Sequence, residues 1–353
     1  AIDGPNPWDI QVTDASFFRR ALWRGSLGVG ESYMDGQWHC EQLDEMLFRV
    51  FRAAAEQRFR SIHKFWLAAQ TPLMNRQSRR RAFKVGEQHY DIGDDFYTRM
   101  LDERMIYCCG YWRNAVDLAG AQEAKLDLVC RKLRLEPGMR VLDIGCGWGG
   151  AAQFAAERYG VSVTGITVSK NQAATAAERC KHLPVTILLE DYRSVTGRFD
   201  RMYSIGMFED VGLRNYRTYF KHARRLLAND GLFLLHTIGS NTSERANDPW
   251  IERYIFPNSL LPSIKQISRA TERRFVVEDW HSFGPDYDKT LMAWYERFCA
   301  SWPELAPQYG ERFRRMWAFW LLSSAAAFRA RRAQLWQVLL SPRGVVGGLE
   351  EVR

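Results

Sequence analysis

The sequence predicts an α/β protein: a doubly wound, mostly parallel sheet with a small helical domain at its N-terminal side. Two observations predict this fold. From about residue 122 onward, short apolar segments alternate with segments of helical periodicity, the pattern of strands joined by crossover helices. A glycine-rich turn at 145–150 separates one strand from a helix, as in sheets that bind nucleotide-type cofactors. A length of 353 residues is sufficient for one large and one small domain.

The N-terminal domain is predicted to span residues 1–75. It holds a helix from Leu43 to about Gln70, where apolar side chains recur at helical spacing, as in Met46, Leu47, Val50 and Phe51. Thr71-Pro72 ends this helix, since proline disfavours the helical conformation of the residue before it. The basic run 76–84 is a predicted linker. Such a run is either a solvated face or a contact for a membrane or nucleic acid.

The sheet is predicted to lie within residues 85–353. Its strands are expected at 141–144, 161–167, 185–189, 201–205, 232–235, 275–280 and 334–340. Its helices are expected near 122–132, 150–159, 170–180 and 215–227. A polar, proline-containing insertion follows at 239–262, and further helices lie toward the C-terminus. The apolar run Met316–Phe328 is too short to span a bilayer and predicts a buried helix.

The net charge of +8 favours an anionic partner, either nucleic acid or a phospholipid surface. The charge is spread widely, so it does not choose between them. Seven cysteines without a C-x-x-C pair predict reduced thiols in a cytoplasm, with no disulfide framework and no metal site of the zinc type. No signal peptide is evident. Any membrane contact is therefore expected to be peripheral.

The glycine turn predicts a cofactor site. Gly145, Gly147 and Gly150 match the G-x-G-x-x-G of NAD-binding folds, which also need an acidic residue at the end of the second strand. Here that strand ends in Thr167. Asp143, inside the first strand, would repel a pyrophosphate but would suit a cationic ligand such as S-adenosylmethionine. A methyltransferase cofactor loop is therefore favoured over a nicotinamide site and over a purely structural turn.

Three reactive side chains follow strands whose carboxyl ends meet at one edge of the predicted sheet: Glu209, His236 and Tyr287. Each has a structural interpretation of its own. A glutamate can cap a helix, a histidine at a strand end can be a satisfied core group, and a tyrosine in a Gly-Pro turn can serve only packing. Their common position predicts a polar site without naming a reaction.

The chain resembles the cyclopropane-fatty-acyl-phospholipid synthases over nearly its whole length. The segments that carry the resemblance are 25–36, 89–94, 141–150, 235–239, 248–251, 254–258 and 291–297. The first of these lies in the N-terminal domain. It favours the bacterial phospholipid-modifying enzymes over the shorter mycolic-acid cyclopropane synthases, which look similar only in the methyltransferase part.

The resemblance implies a class I (Rossmann-like) methyltransferase that moves the sulfonium methyl of S-adenosylmethionine to a cis double bond of a phospholipid acyl chain. The carbocation then loses a proton from the new methyl group and closes to a cyclopropane, with bicarbonate as the base. The implied catalytic positions are Cys109, Glu209, His236, Ile238 and Tyr287, with Cys109 and Ile238 contributing backbone groups. The implied cofactor positions are Tyr107, Cys108, Val141, Asp143, Gly145, Cys146, Gly147, Gly149, Thr167, Gln172, Tyr192 and Arg193.

The resemblance also implies a homodimer that works as a peripheral protein at the inner face of the cytoplasmic membrane. The N-terminal domain would make the dimer or membrane contact, and an insertion at about 239–270 would serve the lipid site. Aromatic side chains near the proposed site could stabilise a developing cation, although core packing is their ordinary role: Phe208, Trp250, Tyr254, Phe256 and Trp280.

Rival functions share the fold. One is a lipid methyltransferase with a methyl-branched or methylene product, and another is a non-catalytic lipid-binding protein. A nucleic-acid methyltransferase would need an Asn/Asp-Pro-Pro-Tyr type of loop where Met207-Phe208-Glu209 stands. Two positions depart from the family pattern: Asp210 replaces a common histidine, and Cys108 replaces a serine. We expect Asp210 to point away from the site.

Overall fold

The computed structural model describes residues 1–53 and 93–353. The predicted linker at 76–84 and the predicted helix beyond residue 53 lie outside these residues, as does most of the 89–94 segment. In the part of the chain that the structure describes, no helix is long and apolar enough to cross a bilayer.

A seven-stranded sheet forms the centre of the molecule, in the order β5-β4-β3-β6-β7-β9-β8. The strands are β3 (Arg140–Ile144), β4 (Ser162–Thr167), β5 (Val185–Leu189), β6 (Phe199–Ile205), β7 (Leu227–Ser240), β8 (Val276–Ser282) and β9 (Ala333–Ser341). Strands β3 to β7 pair in parallel, whereas β9 pairs antiparallel with both β7 and β8. The doubly wound, mostly parallel sheet is therefore confirmed, and the carboxyl ends of β3, β4, β6, β7 and β8 meet at one edge.

Helices cover both faces of this sheet. They are α4 (Asp94–Met100), α5 (Leu118–Lys132), α6 (Gly150–Tyr159), α7 (Lys170–Arg179), α8 (Tyr216–Leu226), α9 (Pro249–Tyr254), α10 (Ile264–Thr271) and α11 (Pro285–Arg329). Caps define their ends: Asp117 accepts from an amide at the start of α5, and Ser169 does so for α7. Gly160 ends α6 in the left-handed conformation.

The N-terminal residues form α1 (Ser16–Arg24), α2 (Ser26–Met34) and α3 (Leu43–Arg52), beside a short pair of strands, β1 (Gln11–Val12) and β2 (Trp38–His39). They share one apolar core with α11, in which Trp38 contacts Phe319. Arg329 of α11 bonds to Asp44 of α3. The N-terminal helices thus pack directly on the C-terminal helix. Whether the 1–75 region folds as a separate domain stays a prediction.

Two local expectations change. β7 is longer than the predicted 232–235 segment, because it continues beside β9 as far as Ser240. Tyr287 lies in the first turn of α11 and not in an open turn. The C-terminal helices are joined end to end in α11, which is interrupted at Gly310, where φ is 72°. The helix predicted at 316–328 is confirmed in the second half of α11, where Trp317 and Leu321 are buried.

Candidate active site

A cavity of about 1040 Å³ runs from the carboxyl edge of the sheet to the N-terminal helices. One end is lined by the glycine turn after β3 and by the residues that follow β4 and β5. The other end is apolar and is built from two parts of the chain. Its lining includes Phe17, Val29, Leu47, Val50 and Phe51 from the N-terminal region, and Leu291, Trp294, Phe319, Trp320 and Phe328 from α11. The cavity therefore joins a polar chamber to an apolar one.

The glycine turn takes a backbone shape that other residues would strain. φ is 89° at Gly145, and a Cβ there would lie 2.7 Å from the Met207 side chain. The amides of Gly145 and Cys146 both donate to Ile166 O in β4, which anchors the turn to the sheet. At Gly150, a Cβ would lie 2.1 Å from the backbone oxygen of Arg104. Close approach of the chain therefore explains these glycines.

Asp143 lies at the floor of the polar chamber and is 1% exposed. Burial raises the pKa of its carboxyl to about 8, against the opposing effects of the Tyr203 hydroxyl and the Lys125 ammonium. Its Oδ2 atom has no hydrogen-bond partner within the described residues. Asp143 is therefore largely neutral at pH 7 without a ligand, and a cationic ligand beside it would favour the charged form.

A polar network closes the chamber at the end of β4. The Thr167 hydroxyl donates to Gln172 Oε1 at 2.9 Å, and the Ser169 amide donates to Thr167 Oγ1 at 3.2 Å. Beyond β5, Arg193 Nε binds Asp191 at 2.6 Å. The buried Tyr192 hydroxyl has no partner among the described residues. Together with open space beside Gly147, the unpartnered atoms of Asp143 and Tyr192 fit a polar, cationic cofactor.

Glu209 lines the cavity from a short 3₁₀ turn after β6. Together with the lining residues Ile238 and Tyr287, it defines what we call the junction of the two chambers. Its Oε1 accepts the Ile238 amide at 2.6 Å, whereas Oε2 has no partner within residues 1–53 and 93–353. Burial raises the pKa of Glu209 to about 7, and the charge of Asp210 adds to this effect. Asp210 also lines the cavity, and burial raises its pKa to about 7. Asp210 therefore belongs to the lining of the same cavity as Glu209, and the direction of its carboxyl stays a prediction.

His236 is completely buried in β7. Its Nδ1 lies 3.3 Å from Gln337 Nε2, while Nε2 has no partner in the described parts of the chain. Burial holds the pKa of His236 well below its usual value, assisted by the charges of Lys125 and Lys132. The ring is therefore neutral. Because Nδ1 accepts from Gln337, Nε2 carries the proton and is a free donor.

Cys108 and Tyr287 complete the wall, and Cys109 is buried next to Cys108. The Tyr287 hydroxyl lies beside the Cys108 thiol, and Cys109 Sγ donates to Gly110 O at 3.1 Å. Burial raises the pKa of Cys108 to about 11 and that of Cys109 well above its usual range. Both side chains are therefore neutral thiols that pack and do not act as nucleophiles. This environment also accommodates a thiol where the family pattern has serine.

The predicted catalytic residues divide into two groups. Glu209, Ile238 and Tyr287 line the cavity, whereas Cys109 and His236 lie immediately behind its wall. The predicted cofactor positions that line it are Tyr107, Cys108, Asp143, Gly145, Cys146, Gly147, Thr167, Gln172, Tyr192 and Arg193. Val141 does not: it packs in the core beneath the turn. Gly149 is also absent from the lining, because it faces Ala176 and begins α6.

The aromatic residues named from the sequence serve different purposes. Trp250 and Phe256 line the cavity. Phe208 stacks on Tyr216 in the core, with ring centroids 4.5 Å apart, and Trp280 packs on Trp336. Tyr254 donates to Glu31 at 2.9 Å.

Lys125 is a lining residue that sequence reasoning missed. A signal was present, because Lys125 occupies a position within the buried stripe of α5 together with Ala121, Leu126 and Val129. A lysine in such a stripe is unusual unless its charge has a partner or a use.

Comparison with known proteins assigns the family. The mycolic acid cyclopropane synthetase family matches residues 77–338. Cyclopropane-fatty-acyl-phospholipid synthase of Escherichia coli K12 is 55% identical over 354 residues, which cover 100% of this chain and 92% of that protein. A probable fatty acid methyltransferase of Pseudomonas putida is 37% identical over 351 residues, covering 95% and 88%.

The solved structure of mycolic acid cyclopropane synthase CmaA1 complexed with SAH and CTAB is 34% identical, with a TM-score of 0.68 over 73% of this chain and 97% of that chain. These similarities confirm the class I methyltransferase fold. They also support S-adenosylmethionine-dependent cyclopropanation of lipids as the general activity. The chain belongs to the mycolic acid cyclopropane synthetase family and is an S-adenosylmethionine-dependent methyltransferase.

Proposed function

We propose that this enzyme transfers a methylene group from S-adenosylmethionine to the cis double bond of an unsaturated acyl chain in a membrane phospholipid, forming a cyclopropane ring. The observation that carries the proposal is the continuous cavity. Its polar chamber suits the cofactor, its apolar chamber suits an acyl chain, and buried Glu209 lies where they meet. Two relatives support it by name, one a cyclopropane-fatty-acyl-phospholipid synthase and one a probable fatty acid methyltransferase.

The apolar chamber supplies alignment and dryness. An alkene is a weak nucleophile, so the chain must be held against the methyl donor, and water that would capture a cation must be kept out. Trp294 and Trp320 line this chamber. Each aromatic face can stabilise a nearby cation by about 0.5–2 kcal/mol.

The junction suits a small anion. Glu209 lines the cavity, has a pKa of about 7 and carries an Oε2 atom with no partner among the described residues. The neutral ring of His236 lies behind the wall, and its Nε2 atom likewise has no partner among those residues. A glutamic acid that keeps its proton can donate a hydrogen bond to an anion. Bicarbonate held there would supply a base for the proton of the new methyl group. The Ile238 amide already donates to Glu209, so its role is to orient that carboxyl.

The helix α1 is the proposed contact with the phospholipid surface. Phe17 and Ala21 face the cavity, whereas Leu22 and Trp23 on the opposite side are 71% and 74% exposed. Arg19 lies beside them and is exposed. Exposed aromatic and aliphatic side chains next to a basic residue are typical of helices that lie in the interface of an anionic bilayer. An acyl chain could then reach the cavity past α1.

Membrane binding is measured by co-sedimentation with vesicles that contain phosphatidylglycerol. The double variant Leu22→Ser/Trp23→Ser is expected to lose at least tenfold in partition coefficient, because it removes the proposed inserting side chains. Val116→Ser is the matched control, since Val116 is 96% exposed and lies outside α1. Equal losses in both variants would contradict the role of α1.

The activity is tested with S-adenosylmethionine and vesicles of a cis-monounsaturated phospholipid, followed by analysis of the acyl chains. Gain of one methylene with loss of the olefin and appearance of a ring is the expected result. A methyl branch would instead support the second candidate, a branching lipid methyltransferase, which the name of the P. putida relative favours. Methylation of nucleic acid with no lipid product would refute both. Undiminished activity in bicarbonate-depleted buffer would count against bicarbonate as the base.

A homodimer acting at the inner face of the cytoplasmic membrane completes the proposal. Sedimentation equilibrium tests the oligomeric state: a single species at the mass of one chain would contradict it.

A further inference from the structure

Lys125 combines three features that the proposed mechanism does not use. Its side chain is 0% exposed, it lines the cavity, and its Nζ atom has no hydrogen-bond partner within the described residues. An isolated buried ammonium opposes folding, because the protein interior does not replace its hydration shell. Burial lowers the pKa of Lys125, and an anionic ligand beside its Nζ atom would restore the charged form and supply the missing partner.

A second lysine on the same helix shows what ordinary burial looks like. Lys132 is 3% exposed, and its Nζ lies 2.8 Å from Asp279 and 3.1 Å from His281 Nδ1. Its charge therefore has a protein partner, whereas that of Lys125 has none among the described residues.

The acidic groups around Lys125 do not serve as its hydrogen-bond partners within the described residues. Asp102 accepts the Arg104 and Ile106 amides, each at 3.0 Å. Asp143 lies in the same part of the cavity, but it makes no ion pair with Lys125 within the described residues, and burial favours its neutral form. Gln122, one turn earlier, donates to Cys108 O and holds the loop before α5 against this face of the helix. The ammonium is thus fixed beside the positions predicted for the cofactor and the anion.

We propose that Lys125 is an anion-binding residue whose ligand is a carboxylate-type group at the junction of the two chambers. The inference rests on the proposed function. Two sources can supply this chemistry: the carboxylate on the methionine part of S-adenosylmethionine, and bicarbonate. Lys125 lines the same cavity as Asp143 and Cys108, which are predicted cofactor positions, and as Glu209, where the anion is proposed to bind.

The test compares Lys125→Met with Lys132→Met in the full chain. Methionine retains most of the length of the side chain and removes the charge. Thermal unfolding of the ligand-free proteins is measured first. Lys125→Met is expected to unfold at or above the wild-type temperature because it removes an unpartnered charge, and Lys132→Met below it because it breaks a pair. A fall for Lys125→Met as large as that for Lys132→Met shows a structural role and overturns the proposal.

Calorimetric titration then distinguishes the sources. S-adenosylhomocysteine is compared with its decarboxylated analogue, and the bicarbonate concentration for half-maximal activity is measured in parallel. If the ligand is the cofactor carboxylate, wild type prefers S-adenosylhomocysteine by about 10- to 100-fold and Lys125→Met loses that preference. If it is bicarbonate, the preference persists and the bicarbonate requirement rises at least tenfold.

The remaining outcomes contradict the inference. A stable Lys125→Met variant that keeps both the preference for S-adenosylhomocysteine and the wild-type bicarbonate requirement overturns the inference about Lys125 but not the proposed function. A wild-type protein that does not bind S-adenosylhomocysteine overturns the proposed function together with it.

Discussion

Replacing Glu209 by glutamine removes a buried acid whose ionisation opposes folding. The pKa of Glu209 rises from 4.5 to about 7 on burial. The folded chain therefore binds more protons than the unfolded chain between these values, and stability is lost as pH rises through this window. At 1.36 kcal/mol for each pH unit, the penalty is about 1 kcal/mol at pH 5 and about 3 kcal/mol at pH 8.5.

Glutamine keeps Oε1 as the acceptor for the Ile238 amide. The stability of Glu209→Gln relative to wild type is therefore expected to improve by about 2–3 kcal/mol between pH 5 and pH 8.5. The comparison between the two proteins cancels the titration of other groups, such as His236. Any constant cost of the unpartnered amide nitrogen cancels as well, because it does not change with pH.

Urea unfolding at a series of pH values measures this difference, with Glu178→Gln as the control. Glu178 is a surface glutamate whose pKa is lowered by its pair with Lys181. Replacing it by glutamine is therefore not expected to give the gain in relative stability with rising pH that is expected for Glu209→Gln. Turnover of the Glu209→Gln variant, followed in the vesicle assay, is expected to be strongly reduced. Parallel stability profiles for wild type and Glu209→Gln would refute the account of Glu209 as a buried acid of raised pKa.

Three further predictions follow from single contacts. Asp210→Asn removes a charge that raises the pKa of Glu209, so the alkaline limb of the pH–rate profile, where Glu209 loses its proton, should move to lower pH with less than a tenfold change in maximal turnover; an unmoved limb would contradict this. Gly150→Ala is expected to lower the free energy of unfolding, measured in urea, by about 2–3 kcal/mol, since its Cβ would lie 2.1 Å from the backbone oxygen of Arg104. An unchanged free energy of unfolding would show that the backbone at Arg104 moves aside instead. Arg329→Met should speed proteolysis of the N-terminal helices, because Arg329 joins α3 to α11. Arg49→Met should not, because its pair with Glu45 and its contact with the Trp8 ring both lie within the N-terminal residues.

Much of the sheet could be predicted because its signals are local. The segment 141–144 is a short apolar run, and the predicted helix 150–159 and strand 185–189 match the observed bounds. The glycine turn was recognisable because its glycines are required by backbone conformation and close approach, which act within a few residues. The extent of β7 could not be predicted from the sequence, since its last residues are held by pairing with β9, about one hundred residues away in the chain.

The candidate site shows the same division. Spacing and strand ends indicated Glu209, His236 and Tyr287, because parallel strands bring their carboxyl ends to one edge. No pattern indicated that Asp210 would share the cavity with Glu209, or that His236 would lie behind its wall. These placements result from a short 3₁₀ turn and from the direction in which a side chain points, and neither property produces a periodic pattern in the sequence.

By itself, the sequence determined the sheet, the cofactor turn and the residue types available at its edge, because local conformational preference and apolar periodicity specify them. Only the tertiary structure decided that helices from both ends of the chain close one apolar chamber, and that Lys125 is buried there without a protein partner among the described residues. The raised pKa values of Asp143 and Glu209 also depend on the tertiary structure, because burial causes them. The reason is physical: burial and pairing depend on which distant segments meet, and it is the loss of water around a group that sets its charge.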